Sequence, residues 1–267
     1  MDKKFVQKIP VIVGPTGSGK TGVAVEIAKE VKEKWGTRLT IISADSRTIY
    51  KGMDIGTAKP TTKERGGVKH LGFDLVEPGE RFTVADWKKY AEEQIELTRV
   101  QGELPMIVGG TGLYVDALVY DYQFGRDEVG LNKKVVRDES GDYPDRKEMS
   151  DKYKMFGILW TPEELRKRLE ERANKLFVQE LYDETERLVS RYGWGSQAMT
   201  SNIYQFAWRY MQGEISREEA VRLSTIDDWH LAKRQMTWFR RNKNIIWLSL
   251  EKIKPAVIKC VQNEQRV

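Results

Sequence analysis

Short apolar runs alternate along the chain with longer stretches in which apolar side chains recur at helical spacing. The runs rich in Val and Ile lie at residues 10–13, 39–43, 106–108, 156–160 and 245–248. Runs of this kind are typical of strands that are covered on both faces. Because strands that alternate with helices form parallel sheets, the pattern predicts an α/β fold built on a doubly wound parallel sheet.

Capping residues mark the expected helix boundaries. Gly36 can adopt the left-handed conformation that ends a helix, so the first helix is expected over residues 20–35. Thr83 and Thr161 each precede an acidic residue by three positions, which predicts capped helices that end near residues 101 and 192. Ser216 opens a further helix that is expected to end near residue 241.

The interval from residue 121 to residue 154 differs from the rest of the chain. Its side chains are largely charged and show little periodicity. A long polar connection, a mobile lid and a partly ordered insertion are all compatible with this pattern.

Composition limits the class of protein. The net charge of +5 arises entirely in the last quarter: residues 1–199 carry 33 basic and 33 acidic side chains, and residues 200–267 carry 12 and 7. This excess fits either ordinary surface solvation or a polyanionic partner. The lone cysteine, Cys260, excludes an intramolecular disulfide, indicates a reducing cytoplasm and is expected to be buried. No apolar stretch reaches the roughly 18 residues that predict a membrane span.

A phosphate-binding loop follows the first predicted strand. Gly14, Gly19, Lys20 and Thr21 in VIVGPTGSGKTG fit the pattern G-x-x-x-x-G-K-[ST]. Such a loop surrounds phosphate oxygens with backbone N–H groups, the N-terminus of a helix and a lysine charge. The loop recognises a phosphate chain and does not specify the molecule that carries it.

Two polar residues follow neighbouring predicted strands and are expected to face the same crevice as the phosphate loop. Asp45 has three interpretations: an acid that helps to hold Mg²⁺ in a kinase or hydrolase, a general base in a transferase, or a helix cap. Thr111, in GGTG, is either a helix cap or a hydroxyl that contacts the ligand.

Five blocks in order resemble the tRNA dimethylallyltransferase family. They are GPTGSGKT, ADSRTIYKGMDIGTAKP, HLGFDLVEPGERFTVADW, VGGTGLYVDAL and AKRQMTWFRR. The resemblance implies a P-loop NTPase-like core whose first part spans residues 1–120. Residues 121–155 would be a reduced polar insertion, and residues 156–267 would complete the core and add basic C-terminal helices.

The resemblance also implies the reaction. The loop would bind the diphosphate of dimethylallyl diphosphate, and the acceptor would be the exocyclic N6 amine of the adenosine adjacent to the anticodon in tRNA. Lys20 and Thr111 would act on the leaving diphosphate, and Asp45 would accept the proton of the amine. Mg²⁺ is the expected cofactor, held near the Thr21 hydroxyl, and the chain is expected to be a monomer that binds no membrane.

The resemblance assigns further residues to each ligand. Those expected on the diphosphate are Gly14, Thr16, Gly17, Ser18, Gly19, Lys20, Thr21 and Arg209. Those expected on tRNA are Asp45, Ser46, Arg47, Thr48, Lys59, Lys233, Arg234 and Gln235.

Two departures from the family pattern leave alternatives for the acceptor. The interval 121–154 is shorter than the helical insertion that helps the family to bind the anticodon stem. Gln205 also stands where the family has a basic residue, and Arg209, one helical turn later, is the expected substitute. A transferase that prenylates free adenine nucleotide and a P-loop kinase that uses ATP are therefore kept as alternatives, and intact Lys20, Asp45 and Thr111 argue against a non-catalytic RNA-binding relic.

Overall fold

A six-stranded parallel sheet forms the centre of the protein. The structure, a computed structural model, describes residues 8–124 and 148–262. The strands are β1 (Ile9–Val13), β2 (Leu39–Ala44), β3 (His70–Leu71), β4 (Leu104–Gly109), β5 (Tyr153–Leu159) and β6 (Ile246–Ser249). Their order is β3-β2-β4-β1-β5-β6, and every pair is parallel. The predicted P-loop NTPase-like, doubly wound α/β fold is confirmed.

Helices connect the strands and cover both faces of the sheet. They are α1 (Lys20–Trp35), α2 (Thr62–Arg65), α3 (Val84–Val100), α4 (Gly112–Val119), α5 (Pro162–Leu176), α6 (Gln179–Tyr192), α7 (Asn202–Met211), α8 (Arg217–Arg240) and α9 (Leu250–Gln262). A short 3₁₀ helix, Gln197–Thr200, precedes α7. No helix in the described part of the chain is long and apolar enough to cross a membrane.

Most predicted helix boundaries are confirmed by their capping contacts. Helix α1 ends at Gly36 with a φ of 68°. Thr83 and Thr161 both form complete capping boxes, with Asp86 and Glu164 respectively. The Ser216 hydroxyl accepts a hydrogen bond from the Glu219 N–H at the start of α8. Local side-chain chemistry therefore sets these boundaries.

The prediction of one helix from Thr161 to Tyr192 was wrong, because the chain breaks into α5 and α6. Phe177 leaves the helical conformation at the break and is buried at 1% exposure in the cluster beneath α6 and α7. Arg217 donates to the carbonyls of Asn174 and Phe177 at 2.9 and 3.1 Å. A distant arginine thus satisfies carbonyls that a continuous helix would have used itself.

Several short or late elements were not predicted. The strand β3 has two residues and the helix α2 has four, too few to show a period. The helices α7 and α9 were also missed, and α9 contains Pro255 within its length. Residues 125–147, most of the predicted polar insertion, lie outside the described residues.

Three large apolar clusters of the described residues stabilise the fold. Two of them, which include Trp87 and Ile27 respectively, cover the two faces of the sheet. Cys260 belongs to the second, and its predicted burial is confirmed at 6% exposure. The third joins Ile49 and Met53 to the helices α5 to α8. The segment after β2 is therefore held against the helical part of the molecule.

The register of the sheet brings the predicted site residues together. Val13 pairs with Gly109, and Gly109 pairs with Ala44, so β1, β4 and β2 end side by side. Gly14, Asp45 and Gly110 are the next residues of these three strands. The phosphate loop, Asp45 and the GGTG segment consequently share one edge of the sheet, where ligands of doubly wound folds bind.

Candidate active site

The phosphate loop joins β1 to α1 in a conformation that needs glycine. Gly17 and Gly19 have φ values of 72° and 86°. A Cβ atom on Gly17 would lie 2.7 Å from the Leu169 side chain of α5. The loop therefore requires glycine both for its backbone angles and for the close approach of α5.

Lys20 points back into the loop and is held by uncharged oxygens. Its Nζ donates to the carbonyls of Gly14 and Pro15 at 2.9 and 2.7 Å and lies 3.5 Å from the Ser18 hydroxyl. Burial lowers the pKa of Lys20 to about 8; the nearby Asp45 carboxylate opposes this shift and the Arg172 charge adds to it. No carboxylate of residues 8–124 or 148–262 bonds directly to this ammonium, which is the arrangement expected of a site that binds an anion.

Not every backbone N–H group of the loop points toward the ligand site. The Thr16 N–H donates to the Gln235 side chain at 2.7 Å, and the Ser18 N–H donates to the Pro15 carbonyl at 3.3 Å. Among the described contacts, the N–H groups of Gly17, Gly19, Lys20 and Thr21 have no protein acceptor. These four groups, in the loop and the first turn of α1, are donors available to phosphate oxygens.

Gln235 connects two loops of the crevice. It was predicted to bind tRNA, but its Oε1 accepts from the Thr16 N–H and its Nε2 donates to the Gly110 carbonyl at 3.0 Å. One side chain of α8 thereby fixes the phosphate loop relative to the GGTG segment. In this structure the amide is engaged by the protein on both of its polar atoms.

Two arginines of α5 that sequence reasoning missed contact the phosphate loop. Arg168 donates from Nε to the Gly17 carbonyl at 2.9 Å and lies over the Trp160 ring at 4.5 Å. Arg172 donates from Nη1 to the Thr16 hydroxyl and to Asp228 of α8, the latter at 3.2 Å. The spacing of four residues puts both arginines on one helix face. The sequence shows this spacing, but it does not show which part of the molecule that face contacts.

Asp45 is oriented by the backbone of its own segment. Its Oδ1 accepts from the Arg47 N–H at 2.9 Å, so it forms a local turn rather than a helix cap. Arg47 reaches across to the Thr200 hydroxyl at 3.1 Å. Thr48 is buried, and its hydroxyl lies 3.3 Å from that of Ser43. The other carboxylate oxygen of Asp45, Oδ2, has no donor among the described side chains.

Thr111 lies between the GGTG segment and the segment after β2. Its hydroxyl oxygen accepts from the Ser46 N–H at 2.9 Å and lies 3.2 Å from the Ser46 hydroxyl. Although Thr111 is the residue before α4, its side chain forms no capping hydrogen bond. The hydroxyl is thus directed at the Asp45–Ser46 side of the crevice, and its contact with the ligand stays a prediction.

Lys59 differs from the other predicted tRNA-binding residues because it is buried, at 7% exposure. Its ammonium forms ion pairs with Asp54 and Asp74, both at 2.6 Å, and donates to the Tyr50 carbonyl at 3.0 Å. All three of its hydrogens have acceptors inside the protein. The structure gives Lys59 a role in holding its own loop.

A buried carboxylate holds the same loop from the other side. Glu184 of α6 accepts from the N–H groups of Asp54, Ile55 and Gly56 at 2.9 Å each. The Tyr204 hydroxyl donates to the same carboxylate at 2.9 Å, and its ring lies where a Cβ on Gly56 would be. The sequence blocks gave no indication of this contact, which joins the segment after β2 to α6 and α7.

Lys233, Arg234 and Arg209 lie on the helical part of the molecule. Lys233 and Arg234 are exposed on α8 and line an open pocket of about 500 Å³ together with Trp238. Trp238 packs against the core and donates from Nε1 to Asp116 at 2.8 Å. Arg209, on α7, pairs with Glu214 at 3.4 Å. None of the described contacts joins Arg209 to the phosphate loop.

Comparison with known sequences identifies the family of this chain. A sequence model described as IPP transferase matches residues 48–152 and 134–242. A tRNA dimethylallyltransferase from Acetivibrio thermocellus is 33% identical over 91% of this chain and 92% of its own length. One from Pelotomaculum thermopropionicum is 35% identical over 90% of each chain. The chain belongs to the IPP transferase family.

Solved structures of family members share the fold. The tRNA isopentenylpyrophosphate transferase of Bacillus halodurans superposes with a TM-score of 0.78 at 27% identity, covering 97% of this chain and 98% of that one. The enzyme of Staphylococcus epidermidis gives 0.76 at 29% identity, with 96% and 98% covered. A eukaryotic dimethylallyltransferase gives 0.71 at 18% identity, covering 91% and 74%, which supports the fold alone.

The site can hold magnesium if the substrate supplies most of the metal ligands. The described residues contain no group of three or more His, Cys, Asp or Glu side chains that could hold a metal ion. Mg²⁺ is often bound through one or two protein oxygens together with substrate phosphates and water. Thr21, in the first turn of α1, offers such an oxygen beside the loop.

Proposed function

We propose that this protein transfers a dimethylallyl group from dimethylallyl diphosphate to the N6 amine of the adenosine adjacent to the anticodon in tRNA. The observation that carries this proposal is the arrangement at one sheet edge: the phosphate loop, whose Lys20 pairs with no described acid, lies beside Asp45 and Thr111. Family members named tRNA dimethylallyltransferase, matched over about 90% of their own length, support the same reaction.

The donor half of the site stabilises the leaving group. As the allylic C–O bond breaks, negative charge grows on the diphosphate and positive charge spreads over the allyl carbons. Lys20 and the four remaining N–H groups of the loop are fixed donors for that negative charge. Fixed donors favour the transition state over the bound substrate. The Thr111 hydroxyl adds a donor near the breaking bond by turning away from Ser46.

The acceptor half of the site removes a proton. The adenine amine is a weak nucleophile, because its lone pair is delocalised into the ring. When its nitrogen forms the C–N bond, one N–H proton becomes acidic and passes to Asp45. The Arg47 N–H holds Oδ1, so Oδ2 is the oxygen that accepts the proton. The products are the N6-prenylated adenosine, diphosphate and protonated Asp45.

The cofactor and the location follow from the substrates. Mg²⁺ would be held by the Thr21 hydroxyl and the diphosphate oxygens, where it neutralises part of the leaving-group charge. The exposed cations of α8, Lys233 and Arg234, would contact tRNA phosphates. We also propose that the reaction takes place in the cytoplasm. The chain would act as a monomer, because transfer needs only one phosphate loop and one Asp45.

One experiment compares the possible acceptors. The protein is incubated with dimethylallyl diphosphate, Mg²⁺ and either tRNA or AMP, and each acceptor is analysed by mass spectrometry. A third sample contains ATP without a prenyl donor and is assayed for phosphate release. We expect one dimethylallyl group on tRNA alone. Prenylated AMP with unmodified tRNA would indicate the free-nucleotide transferase, and phosphate release from ATP would indicate the kinase.

A further inference from the structure

Glu184 of α6 is a buried carboxylate with two donors on each oxygen, and it is 4% exposed. Its Oε2 accepts from the N–H groups of Asp54 and Ile55, both at 2.9 Å. Its Oε1 accepts from the Gly56 N–H and the Tyr204 hydroxyl at the same distance. Successive N–H groups that converge on one anion form a backbone nest. A side chain of α6 therefore fills the anion site of a turn in the segment after β2.

The nest distinguishes a carboxylate from an amide of the same size. A glutamine at this position keeps one acceptor oxygen and puts an NH₂ group opposite a backbone N–H. One buried donor then has no acceptor, which destabilises this arrangement of the turn. Burial and the Glu184 charge raise the pKa of Tyr204 well above its usual range, so its hydroxyl stays a donor. The four hydrogen bonds consequently need an acid at residue 184.

The turn that Glu184 holds is the far end of the segment that begins with Asp45. Between them, Ile49 and Met53 are buried at 1% and 0% exposure in the cluster that contains residues of α6 and α7. Apolar burial of this kind resists movement of the segment relative to those helices. The segment therefore moves with α6 and α7 once its turn is fixed by the nest.

The near end of the segment sets the direction of the Asp45 carboxylate. The Arg47 N–H donates to Asp45 Oδ1 at 2.9 Å, and the Arg47 side chain reaches the Thr200 hydroxyl, just before α7, at 3.1 Å. The backbone that orients Asp45 is thus attached to the helical part of the molecule at both of its ends. A shift of the turn at Glu184 can reach Asp45 along this backbone.

The other polar contacts of the turn do not provide this connection. Lys59 pairs with acids that belong to the loops after β2 and β3, so it closes the turn without joining it to a helix. Arg187 of α6 donates to the Gly52 carbonyl at 2.9 Å, but its side chain is exposed and water competes for the contact. Glu184 is the buried polar contact between α6 and the segment.

We propose that Glu184 is a positioning residue for proton transfer to Asp45. It touches no substrate; it fixes the turn, and through the segment it holds Asp45 Oδ2 at the acceptor amine. The inference rests on the proposed function, because it takes Asp45 as the base. The phosphate loop is held by Gln235 and Arg168 instead, so diphosphate binding does not depend on Glu184.

The first test compares Glu184→Gln with Thr185→Ala in single-turnover prenyl transfer with saturating donor. Thr185 is the next residue of α6 and is also buried, but its hydroxyl donates to the Leu181 carbonyl of its own helix. We expect Glu184→Gln to lower the rate about 10- to 100-fold, as a small displacement of a reacting group does. Thr185→Ala should stay within about 2-fold. Equal rates in the two variants overturn the proposal.

The same variants are used to measure binding of inorganic diphosphate by calorimetry. Glu184→Gln should bind it within about 2-fold of the wild type, because the phosphate loop has its own supports. A loss of affinity that matches the loss of rate would mean that the whole crevice is disturbed, and it overturns the proposal.

A double-mutant cycle asks whether Glu184 acts through Asp45. In the Asp45→Asn protein the base is already absent, so adding Glu184→Gln should lower the residual rate by less than about 2-fold. Losses that multiply would show that Glu184 supports the protein in general, and they overturn the proposal. If Glu184→Gln does not fold, Tyr204→Phe takes its place in the cycle: it removes one donor to Glu184 and keeps the ring beside Gly56.

A readout without any reaction separates failure of this proposal from failure of the function. The ¹³C NMR signal of the Asp45 carboxyl carbon, assigned by its loss in Asp45→Asn, should move in Glu184→Gln and stay in place in Thr185→Ala. If the wild type prenylates no acceptor but the signal moves, the function is wrong and the connection from Glu184 to Asp45 stands. If the wild type prenylates tRNA and the signal does not move, the role of Glu184 is wrong and the function stands.

Discussion

Two loops of this protein each contain a lysine in a family block, and their surroundings are opposite. Lys20, in the phosphate loop, donates to two carbonyls, lies near one hydroxyl and forms no ion pair with an acid among the described residues. Lys59, in the loop after β2, lies between the carboxylates of Asp54 and Asp74. The positive charge of Lys20 is therefore available to a ligand, whereas that of Lys59 is neutralised within the fold.

The neighbours of a charged residue in a motif decide whether its charge is available to a ligand. The loop of residues 54–59 is closed by the Glu184 carboxylate, which accepts from its N–H groups, and by Lys59, which pairs with its single acid, Asp54. Its polar groups have partners, so its role is to hold the segment that carries Asp45. The phosphate loop keeps N–H groups and an ammonium without acidic partners, which is the arrangement that favours binding of an anion.

The largest effect is expected from the acid beside Lys20. Asp45→Asn keeps the acceptor oxygen for the Arg47 N–H but removes the general base. Prenyl transfer to tRNA should fall about 10²- to 10⁴-fold, as for loss of a positioned base. Binding of inorganic diphosphate should be unchanged or tighter, because a negative charge near Lys20 is removed.

The matched control for this change lies in the other loop. Asp54→Asn alters an exposed acid that pairs with Lys59. Transfer should remain within a few-fold of the wild type, measured by single-turnover kinetics with saturating donor. Equal losses in the two variants would mean that Asp45 only supports its segment.

Next in size is the effect of removing the lysine of the phosphate loop. Lys20→Met should lower the rate of transfer about 10²- to 10³-fold, the usual cost of losing one fixed donor to the leaving group. Diphosphate affinity, measured by calorimetry, should fall as well. Lys59→Met, assayed in parallel, should bind diphosphate like the wild type, and a comparable loss there would remove the distinction between the two loops.

The lowered pKa of Lys20 makes diphosphate binding depend on pH in a defined direction. The ammonium form binds the anion, and the pKa of Lys20 in the ligand-free protein is about 8. Affinity should therefore be retained below pH 8 and lost as the pH rises above it. The ionisation of diphosphate itself affects both proteins equally. Dividing the wild-type affinity by that of Lys20→Met at each pH therefore cancels its effect. A ratio that stays constant between pH 7 and pH 9.5 would contradict the role of Lys20.

A smaller effect, on stability, is expected from the paired lysine. Lys59→Met leaves Asp54 and Asp74 without their buried partner. The free energy of unfolding should fall by about 1–3 kcal/mol. This loss is smaller than that for a fully buried pair, because both carboxylates are about half exposed. Urea denaturation measures it. The control is Lys51→Met, which breaks an exposed pair with Glu77 and should cost less than about 1 kcal/mol.

The parts of this structure that could be predicted from sequence are those with local causes. The strands follow from short apolar runs, and the helix starts at Thr83 and Thr161 follow from capping boxes that need only three residues. The phosphate loop is likewise a contiguous motif. These features depend on neighbours in sequence, so the pattern of residue types contains enough information to find them.

The remaining contacts of the site depend on which faces of distant helices meet the loop. Arg168, Arg172 and Gln235 contact residues that are 151, 156 and 219 positions away. The sequence shows that two arginines share a face of α5, but only the packing of Leu165 and Leu169 turns that face toward the loop. The break at Phe177 and the pairing of Lys59 have the same origin in tertiary packing.

The smallest effect is expected from a third lysine, which is exposed and pairs with no acid in the described part of the chain. Lys233 is exposed on α8 and lines the open pocket beside Trp238. If it contacts one tRNA phosphate, Lys233→Gln should reduce the slope of log affinity against log salt by about 0.7 to 0.9. Filter binding at several salt concentrations measures the slope. Lys34→Gln is the control, because Lys34 lies in the last turn of α1, away from the loop at the start of that helix. An unchanged slope in Lys233→Gln would place the tRNA phosphates elsewhere, since each counterion released by a bound phosphate must appear in the salt dependence.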